Sequence, residues 1–386
     1  MRKKAVHPAK PPQAGGSARN VVSGFAELQR GLTGDRALIG ASYMDNPAML
    51  SAYLAYYWPV SRSQAAHAIA TADHFDASVY HTVIDVGSGP GPVAAAFIDA
   101  SAASASSGGK IRVVLIDQSR RALDLALREL PVRCVSPATL LTVQADISAP
   151  QPALIPYWGE ADCISFGHSL NELFAETVDR IERRADLMEK YAAGLAANGK
   201  ILIIEPALLS TSRDLLAVRN VLVDRGWRVT APCCGRAVLP CPAPDAGDQH
   251  TCHEEISWTM PEETAKLAAT MKLDKESLKM TWFMLEPPRT EQGSGGPESG
   301  TPAGGDELYR VVSDPMLNKA GRVRKLLCGK DGRFPLSVQG ESAEAERSGF
   351  NRLKRGDYIR VIKPEMRENG WGVGPATIIK REEWRD

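Results

Sequence analysis

Two groups of residues have types and spacings that could do chemistry: a glycine-rich turn and a set of cysteines. The turn reads Asp85-Val-Gly-Ser-Gly-Pro-Gly91 and stands between a predicted strand and a predicted helix. Because glycine has no Cβ, Gly87, Gly89 and Gly91 allow a sharp turn and let backbone amides approach a ligand. The pattern predicts a nucleotide-like cofactor site, and a purely structural turn is the alternative.

Acidic residues after the next two predicted strands indicate which cofactor this site would take. Asp117 ends the second strand, where a carboxylate can accept hydrogen bonds from both ribose hydroxyls. Asp146 and Ile147 follow the third strand, at the place where methyltransferases hold the adenine amino group. The acidic start at Asp85 resembles motif I of class I methyltransferases, whereas dinucleotide sites more often start directly with glycine. These residues predict S-adenosylmethionine, with NAD as the alternative.

The elements that must position these residues alternate between strands and helices from about residue 82 to 230. Five apolar runs are predicted strands: Thr82–Val86, Arg112–Ile116, Thr139–Val143, Asp162–Phe166 and Lys200–Ile204. Helices are predicted at Arg120–Leu130 and Thr177–Leu195, and Asn198-Gly199 is the predicted stop of the second. The alternation predicts an α/β fold with a doubly wound, mainly parallel sheet, here the Rossmann-like sheet of a class I methyltransferase.

Composition shifts divide the chain into six predicted segments. In chain order they are a disordered basic tail, a helical region, the cofactor-binding domain, a cysteine-rich metal-binding segment, a Gly/Pro-rich linker and a small β-rich subdomain, at residues 1–24, 25–80, 81–230, 231–286, 287–307 and 308–386. In the helical region, Tyr53, Tyr56, Tyr57 and Trp58 are expected to pack rather than bind a ligand. The β-rich subdomain, for which a barrel is one form, has predicted strands at Tyr309–Ser313, Val323–Cys328, Tyr358–Ile362 and Thr377–Ile379.

Charge and hydropathy set limits on the class of protein. The 386 residues include 46 basic and 46 acidic side chains, so no overall field indicates a nucleic-acid partner. No run approaches the ~20 apolar residues of a membrane span, and we expect no membrane partner. The basic N-terminus has no secretory apolar core; a transit peptide is the alternative to a disordered tail. We expect a cytoplasmic location, with the mitochondrial matrix as the alternative.

The second chemical group is the cysteines that lie beyond the predicted α/β domain. Cys233, Cys241 and Cys252 have seven and ten residues between them, which is too loose for the paired Cys-x-x-Cys knuckles of a zinc ribbon. Thiolates that close an irregular loop could still hold zinc or an iron–sulfur cluster, with Cys328 as the candidate for a fourth ligand. Cys234 adjoins Cys233, and neighbours rarely bind one ion together. His250 and His253 are alternative nitrogen donors, and reduced free cysteines are the alternative to a metal site.

The segment Gly-His-Ser-Leu-Asn-Glu-Leu at 167–173 follows the fourth strand, where many methyltransferases place residues facing the acceptor. His168, Asn171 and Glu172 are therefore candidates, and a capped helix start is the alternative. The segment contains no box such as Asn-Pro-Pro-Tyr that orients an amino group for attack. The sequence names no catalytic residue.

The order of these motifs resembles that of the Rsm22 family of methyltransferase-like proteins associated with the small ribosomal subunit. The glycine motif and the 167–173 segment are followed by Ile204-Glu-Pro, and then by Ala-Pro-Cys233, Cys241-Pro and Cys252-His. Arg-Val-Val-Ser-Asp-Pro at 310–315, Lys-Ala-Gly-Arg-Val at 319–323, Leu-Cys at 327–328 and Leu-Lys-Arg-Gly-Asp at 353–357 complete the order. The resemblance covers about residues 25–362.

The resemblance implies a 4Fe-4S iron–sulfur cluster on Cys233, Cys241, Cys252 and Cys328. Cys234 stands where the family usually has proline, so it is the alternative to Cys233. The implied partner is the small ribosomal subunit with its rRNA, bound by a protein that is monomeric off the ribosome. Basic residues that could contact rRNA phosphates are Arg310, Lys319, Arg322, Arg324, Lys325, Lys354 and Arg355.

Three functions follow from these expectations. The first is a methyltransferase-like, S-adenosylmethionine-binding iron–sulfur protein that acts in small-subunit assembly or translation through rRNA binding, without necessarily methylating anything. The second is an active rRNA methyltransferase that uses the same pocket. The third is a zinc-stabilised methyltransferase of a non-RNA substrate.

Overall fold

The computed structural model describes residues 18–34, 38, 43–72, 80–103, 110–273, 276–288 and 307–382. Most of the expected tail and linker therefore lies outside the described residues. Helix α1 begins at Ala18, earlier than the sequence predicts, and the helices in chain order are α1 Ala18–Gln29, α2 Pro47–Ala52, α3 Trp58–Thr71, α4 Pro92–Ala103, α5 Arg120–Arg133, α6 Arg180–Ala192, α7 Leu209–Asp224, α8 Glu262–Thr270 and α9 Ala343–Ser348. A π-helical turn, Tyr53–Tyr57, joins α2 to α3.

An eight-stranded sheet forms the α/β domain. Its strands are β1 Thr82–Val86, β2 Arg112–Asp117, β3 Thr139–Gln144, β4 Ala161–Gly167, β5 Leu195–Pro206, β6 Arg228–Ala231, β7 Glu254–Ser257 and β8 Ser277–Glu286. The order is β3-β2-β1-β4-β5-β8-β6, with β7 paired to β8. Strands β1 to β5 are parallel, and β8 runs antiparallel to β5, β6 and β7. The predicted doubly wound α/β fold, with helices before it, is confirmed.

The five predicted strands are present because each is a largely apolar run between turns; Thr82–Val86, for example, is buried throughout, whereas β3 at the edge of the sheet is only partly buried. The predicted helix stop at Asn198-Gly199 is wrong, since both residues lie inside β5 and helix α6 ends at Ala192. Gly199 is needed there for close packing: a Cβ on it would lie 2.6 Å from the carbonyl oxygen of Ala161. Strand β8 also extends the sheet beyond the boundary expected at residue 230.

A second sheet forms the β-rich C-terminal subdomain. Its strands are β9 Leu308–Val311, β10 Met316–Leu317, β11 Arg322–Gly329, β12 Gly332–Gln339, β13 Tyr358–Ile362, β14 Glu365–Arg367, β15 Gly370–Gly372 and β16 Ile378–Glu382. The order is β14-β15-β12-β11-β9-β13-β16, and in the described residues no pairing joins β14 to β16. The sheet is therefore open rather than a closed barrel. Its core includes Val311, Leu327, Leu336, Phe350 and Ile359.

A buried ion pair fastens the two sheets to each other. Arg310 on β9 lies 2.8 Å from Glu254 on β7, and each side chain is 5% exposed. The Trp282 indole donates a hydrogen bond to the same carboxylate, and His67 on α3 lies 3.3 Å away. Burial opposes ionisation of Glu254, but Arg310 and these neighbours outweigh it and hold the pKa at about 2. The carboxylate is therefore ionised, and it joins three parts of the chain.

Other contacts across the same interface are hydrogen bonds to backbone oxygens. The Tyr358 hydroxyl donates to the carbonyl of Pro232 at 2.9 Å. Arg236 donates to the carbonyl of Lys330 at 2.9 Å. Both bonds link the segment after β6 to the C-terminal subdomain, so the cysteine-containing loop is held between the two sheets. Among the helices of the described residues, none combines the length and apolar character that a membrane crossing requires.

Glu254→Gln tests the ion pair, because the amide keeps the shape of the side chain but leaves the Arg310 charge buried beside a neutral group. Since removal of one partner of a buried pair is strongly destabilising, we expect the free energy of unfolding to fall by about 3 kcal/mol, measured by urea denaturation. The matched control is Glu262→Gln on α8, where an 83% exposed side chain pairs with Lys266. The control should change stability by less than about 0.5 kcal/mol. Equal losses in the two variants would contradict the structural role of Glu254.

Candidate cofactor cavity and cysteine cluster

A cavity of about 850 Å³ lies at the carboxyl ends of β1, β2 and β4. Ligands of doubly wound folds bind at this edge of the sheet. Three parts of the chain line the cavity: the loops after the parallel strands, the region from Tyr43 to Gln64, and the start of β8 from Ser277 to Lys279. The cavity is therefore lined jointly by residues of the helical region and of the sheet.

The glycine turn forms one wall of the cavity. Gly87 and Gly89 line it and have φ values of +68° and +52°, in the left-handed region that favours glycine. A Cβ on Gly87 would lie 2.4 Å from the Cβ of Ser169. The backbone N–H groups of Gly87 and Ser88 both donate to the carbonyl of Ile116, at 2.8 and 3.0 Å. The turn is therefore pinned to β2 and has no room for side chains at its tightest point.

Asp117 lies beside the turn with both carboxylate oxygens oriented by backbone groups. Oδ2 accepts a hydrogen bond from the N–H of Gly89 and Oδ1 from the N–H of Ser119, each at 2.8 Å. Burial raises the pKa of Asp117, although the same two N–H groups favour its ionised form. The carboxylate lines the cavity. Because each carboxylate oxygen can accept a second bond, the group can still receive two hydroxyls.

The loop after β3 completes this side of the cavity. Asp146 and Ile147 both line it. Oδ1 of Asp146 accepts from the N–H of Ser148 at 2.8 Å, and the carbonyl of Ile147 accepts from the Tyr191 hydroxyl at 3.1 Å. The structure thus brings Gly87, Gly89, Asp117, Asp146 and Ile147 together at one end of the cavity.

Asp85 and Gly91, also predicted to bind the cofactor, lie behind the turn and outside the cavity lining. Asp85 is 1% exposed, and its Oδ1 accepts from the Ser165 hydroxyl at 2.7 Å. Burial raises the pKa of Asp85 to about 7, against hydrogen bonds from Ser165 and the backbone of Ala94. The N–H of Gly91 donates to the carbonyl of Ser88 at 2.9 Å. Asp85 and Gly91 therefore stabilise the turn without lining the cavity.

The segment after β4 contributes His168, Asn171 and Glu172 to the lining. His168 has a φ of +62°, and its Nε2 lies 2.9 Å from Oε1 of Gln64. Asn171 donates from its amide to Glu205 at 2.6 Å and from its backbone N–H to the same carboxylate at 2.9 Å. Burial raises the pKa of Glu205 to about 8, although these bonds favour ionisation. The hydrogen bonds between Asn171 and Glu205 therefore fix the position of this segment in the cavity lining.

The helical region supplies cavity residues that the sequence did not indicate. Tyr43, Met44, Tyr53, Tyr57 and Gln64 line the cavity. The expectation that the aromatic group only packs is wrong for Tyr53 and Tyr57, whereas Tyr56 and Trp58 are each 2% exposed in the core. The sequence contains one signal for these residues, Asn46-Pro47, which is typical of a helix start. The Asn46 side chain accepts a hydrogen bond from the N–H of Ala48, so α2 begins here and the preceding residues form a separate turn.

The turn Tyr43–Asp45 is docked on the cofactor end of the cavity. Oδ1 of Asp45 accepts from the Ser119 hydroxyl at 2.6 Å. The methyl group of Met44 would be 3.5 Å from a Cβ on Gly89, which is ordinary van der Waals contact. The turn therefore covers the glycine loop and closes this end of the cavity.

The four cysteines predicted to hold a metal come together between the two sheets. The pKa of Cys328 is raised to about 12 by burial and then by the thiolates of Cys233 and Cys252. Burial also raises the pKa of Cys241, and Cys252 and Cys233 add to it. The sulfurs are thus near enough to repel one another as thiolates. In the described part of the chain, no three His, Cys, Asp or Glu side chains are close enough to hold a metal ion as they stand.

Cys234 lies beside this set and contacts the C-terminal subdomain. It is 2% exposed, and its thiol donates to the carbonyl of Cys328 at 3.6 Å. Burial raises its pKa to about 12. The side chain therefore serves as a packing group at the interface.

Arginines surround the four thiols. Arg310 and Arg333 both act electrostatically on Cys252, and Arg236 acts on Cys328. Arg333 lies directly opposite Cys328 in the β11–β12 pairing. Within the described residues, the buried Nε of Arg310 and the buried Nε and Nη1 of Arg333 have no hydrogen-bond partner. Unpartnered guanidinium N–H groups beside thiols are suited to charged sulfur acceptors.

Three of the basic residues expected to contact RNA are engaged within the protein. Arg310 is in the buried ion pair, and Lys325 is 2% exposed with its ammonium donating to the carbonyl of Phe350 at 3.1 Å. Arg355 lies 2.9 Å from Asp314 with an 11% exposed side chain. The expectation is wrong for Arg310 and Lys325, because the sequence does not reveal that these strand residues point inward. Arg355 lies in the turn before β13 and pairs with Asp314. Lys319, Arg324 and Lys354 are exposed, and Arg322 is half-buried.

Comparison with solved structures finds methyltransferases at low similarity. A SAM-dependent methyltransferase from Leishmania major is 13% identical with a TM-score of 0.33, covering 69% of this chain and 82% of its own. A ribosomal protein L11 methylase from Lactobacillus delbrueckii subsp. bulgaricus is 13% identical with a TM-score of 0.32, covering 58% and 78%. Comparison with curated protein sequences finds no match.

A family model gives the assignment. The model described as mitochondrial small ribosomal subunit Rsm22 matches residues 50–357, which include most of the cavity lining, the cysteine loop and four of the eight strands of the C-terminal sheet. The chain belongs to the Rsm22 family.

Proposed function

We propose that the cavity binds S-adenosylmethionine. The observation that carries this proposal is Asp117, a cavity-lining carboxylate whose two oxygens are each held by a backbone N–H. Such a group suits the two hydroxyls of a ribose. Asp146 and Ile147 lie at the same end and suit an adenine, while Gly87 and Gly89 allow the rest of the ligand to approach the backbone.

Asp117→Ala should remove the acceptor of both ribose hydroxyls. Because each hydrogen bond to a charged group contributes about 1.5 kcal/mol, the affinity for S-adenosylmethionine should fall about 100-fold. Isothermal titration calorimetry on the full chain measures the loss. The matched control, Asp124→Ala on α5, removes a 45% exposed carboxylate that pairs with Arg120 and should bind normally. Wild-type affinity in Asp117→Ala would contradict the site.

The proposed partner is the small ribosomal subunit, which the chain would bind through rRNA. The family description supports the subunit, and because it names a mitochondrial one, it also supports the matrix rather than the cytoplasm. On the chain itself, the exposed residues Lys319, Arg324 and Lys354 are available for phosphates. We propose that the protein is monomeric away from the subunit and that it acts in assembly or translation.

The same cavity leaves two proposals for catalysis. In the first, the protein binds the cofactor and the subunit without methyl transfer, because the amide of Asn171 is already committed to Glu205. In the second, it is an active rRNA methyltransferase, and the lining residues His168 and Glu172 face the acceptor. The first is preferred, since no group in the described part of the cavity has a geometry that identifies it as a catalytic base.

Binding and methyl transfer are measured on purified small subunits in one experiment. The charge reversals Lys319→Glu, Arg324→Glu and Lys354→Glu together should weaken co-sedimentation and lower the log–log salt slope by about 1 for each phosphate that is no longer neutralised. The control is Lys190→Glu, at an exposed position on α6. With radiolabelled donor we expect no methylated RNA. Methylation that disappears in Asp117→Ala would instead establish the active enzyme.

We further propose that Cys233, Cys241, Cys252 and Cys328 hold a 4Fe-4S cluster, with Cys234 as the alternative to Cys233 and zinc as the alternative metal. The electrostatic contact of Cys328 with Cys233 and Cys252 supports this, as do the unpartnered N–H groups of the surrounding arginines. Binding would require the sulfurs to move closer together. Because metal binding removes the protons from thiols, it would turn these thiols into a stabilising link between the two sheets.

Cys328→Ser tests both the metal and the ligand that lies far along the chain from the other three. Anaerobically purified wild type should be brown and absorb near ~400 nm, as iron bound to thiolates does, whereas zinc is silent. The variant should lose that absorption and most of its iron. Cys134→Ser, at the end of α5, is the matched control and should keep both. A colourless wild type with stoichiometric zinc would favour the zinc-stabilised methyltransferase of a non-RNA substrate.

A further inference from the structure

Part of the cavity lining is aromatic and carries one carboxylate. Tyr43, Tyr53, Tyr57 and Phe174 line the cavity, together with Glu172. The rings of Tyr53 and Tyr57 are stacked, with centroids 5.8 Å apart and an interplanar angle of 24°. The Tyr43 hydroxyl donates a long hydrogen bond of 3.5 Å to Oε1 of Glu172. Aromatic rings and a carboxylate are thus combined in one part of the lining.

Glu172 and Asp117 act on the same two rings. Burial raises the pKa of Tyr43 well above its ordinary value, and Glu172 and Asp117 raise it further. Burial likewise raises the pKa of Tyr53, and the same two carboxylates again add to the shift. Both carboxylates are therefore close enough to act on the Tyr43 and Tyr53 rings, and Glu172 is in direct contact with Tyr43.

The charged groups of the cavity are predominantly negative. In the described lining, the carboxylates of Asp117, Asp146, Glu172 and Glu276 face one ammonium, that of Lys279. That ammonium lies 3.3 Å from Glu255, which reduces its effect on the cavity. An anionic group would be repelled here, whereas a cation would be attracted both by the carboxylates and by the negative faces of the rings.

We propose that Glu172 and the rings of Tyr43 and Tyr53 form a site for the positively charged sulfonium of the methyl donor. This proposal rests on the proposed cofactor. The thioether that remains after methyl loss has no charge, so it gains neither the carboxylate attraction nor the cation–π attraction. The protein therefore selects the charged donor over the neutral product, whether or not it transfers the methyl group itself.

The test is calorimetric titration of the full chain with S-adenosylmethionine and, separately, with S-adenosylhomocysteine. Wild type should bind the sulfonium compound about tenfold more tightly, the scale of a desolvated cation–π contact with an added carboxylate. Glu172→Gln should remove most of that preference by weakening donor binding, while product binding stays unchanged. The unchanged product affinity also reports that the cavity is folded.

Three further variants separate charge from shape. Glu176→Gln, at an exposed position four residues along, is the matched control and should keep the preference. Tyr43→Phe retains the ring and should keep most of it, whereas Tyr43→Leu should lose part of it.

Three outcomes have distinct meanings. Equal affinity of wild type for donor and product would overturn the sulfonium site while leaving the cofactor proposal intact. An equal loss for both ligands in Glu172→Gln would also overturn it, because the residue would then act on cavity shape. Failure of wild type to bind either ligand would instead refute the cofactor proposal.

Discussion

The ion pair between Glu254 and Arg310 is the interaction on which the rest of the structure depends. A buried guanidinium and a buried carboxylate are each costly alone, so each fixes the position of the other. Glu254 follows Cys252 by two residues and also receives contacts from the helical region through His67. Arg310 belongs to the C-terminal sheet and acts electrostatically on Cys252. Three regions that are distant in sequence are thereby fixed around one pair of charges.

The same charges connect the cysteine loop to the cofactor cavity through strand β8. Glu254 pairs with Met280 and Glu255 with Lys279 in the β7–β8 register, and Lys279 lines the cavity. The Gln64 side chain donates to the carbonyl of Lys279 and also contacts His168. The wall of the cavity is therefore built on the strand that the cysteine loop leads into. The position of the cysteine loop therefore affects the geometry of the cavity wall.

Much of the fold could be predicted from sequence because it depends on local patterns. The five parallel strands are continuous apolar runs, and the residues that follow them, Asp117 and Asp146, lie in the cavity as expected. Asp85 was expected there too, but the carboxylate turns under the loop to meet Ser165, a contact between strands that no local pattern encodes. The sequence does not reveal strand β8, because it returns to the sheet as an antiparallel neighbour after a long connection that contains β7 and α8. The inward orientation of Arg310 also depends on contacts made by distant residues.

The position of β8 in the sheet has a consequence for how the chain is made. Strands β5 and β6 leave the ribosome first, but they are joined only when β8 has been synthesised and inserts between them. By then Cys233, Cys241 and Cys252 have all emerged, while β11 with Cys328 has not. Since domains generally fold from the N-terminus during synthesis, we expect an interval in which three of the cysteines have been made and β11 has not. Strand β11 then brings Cys328 to the other three.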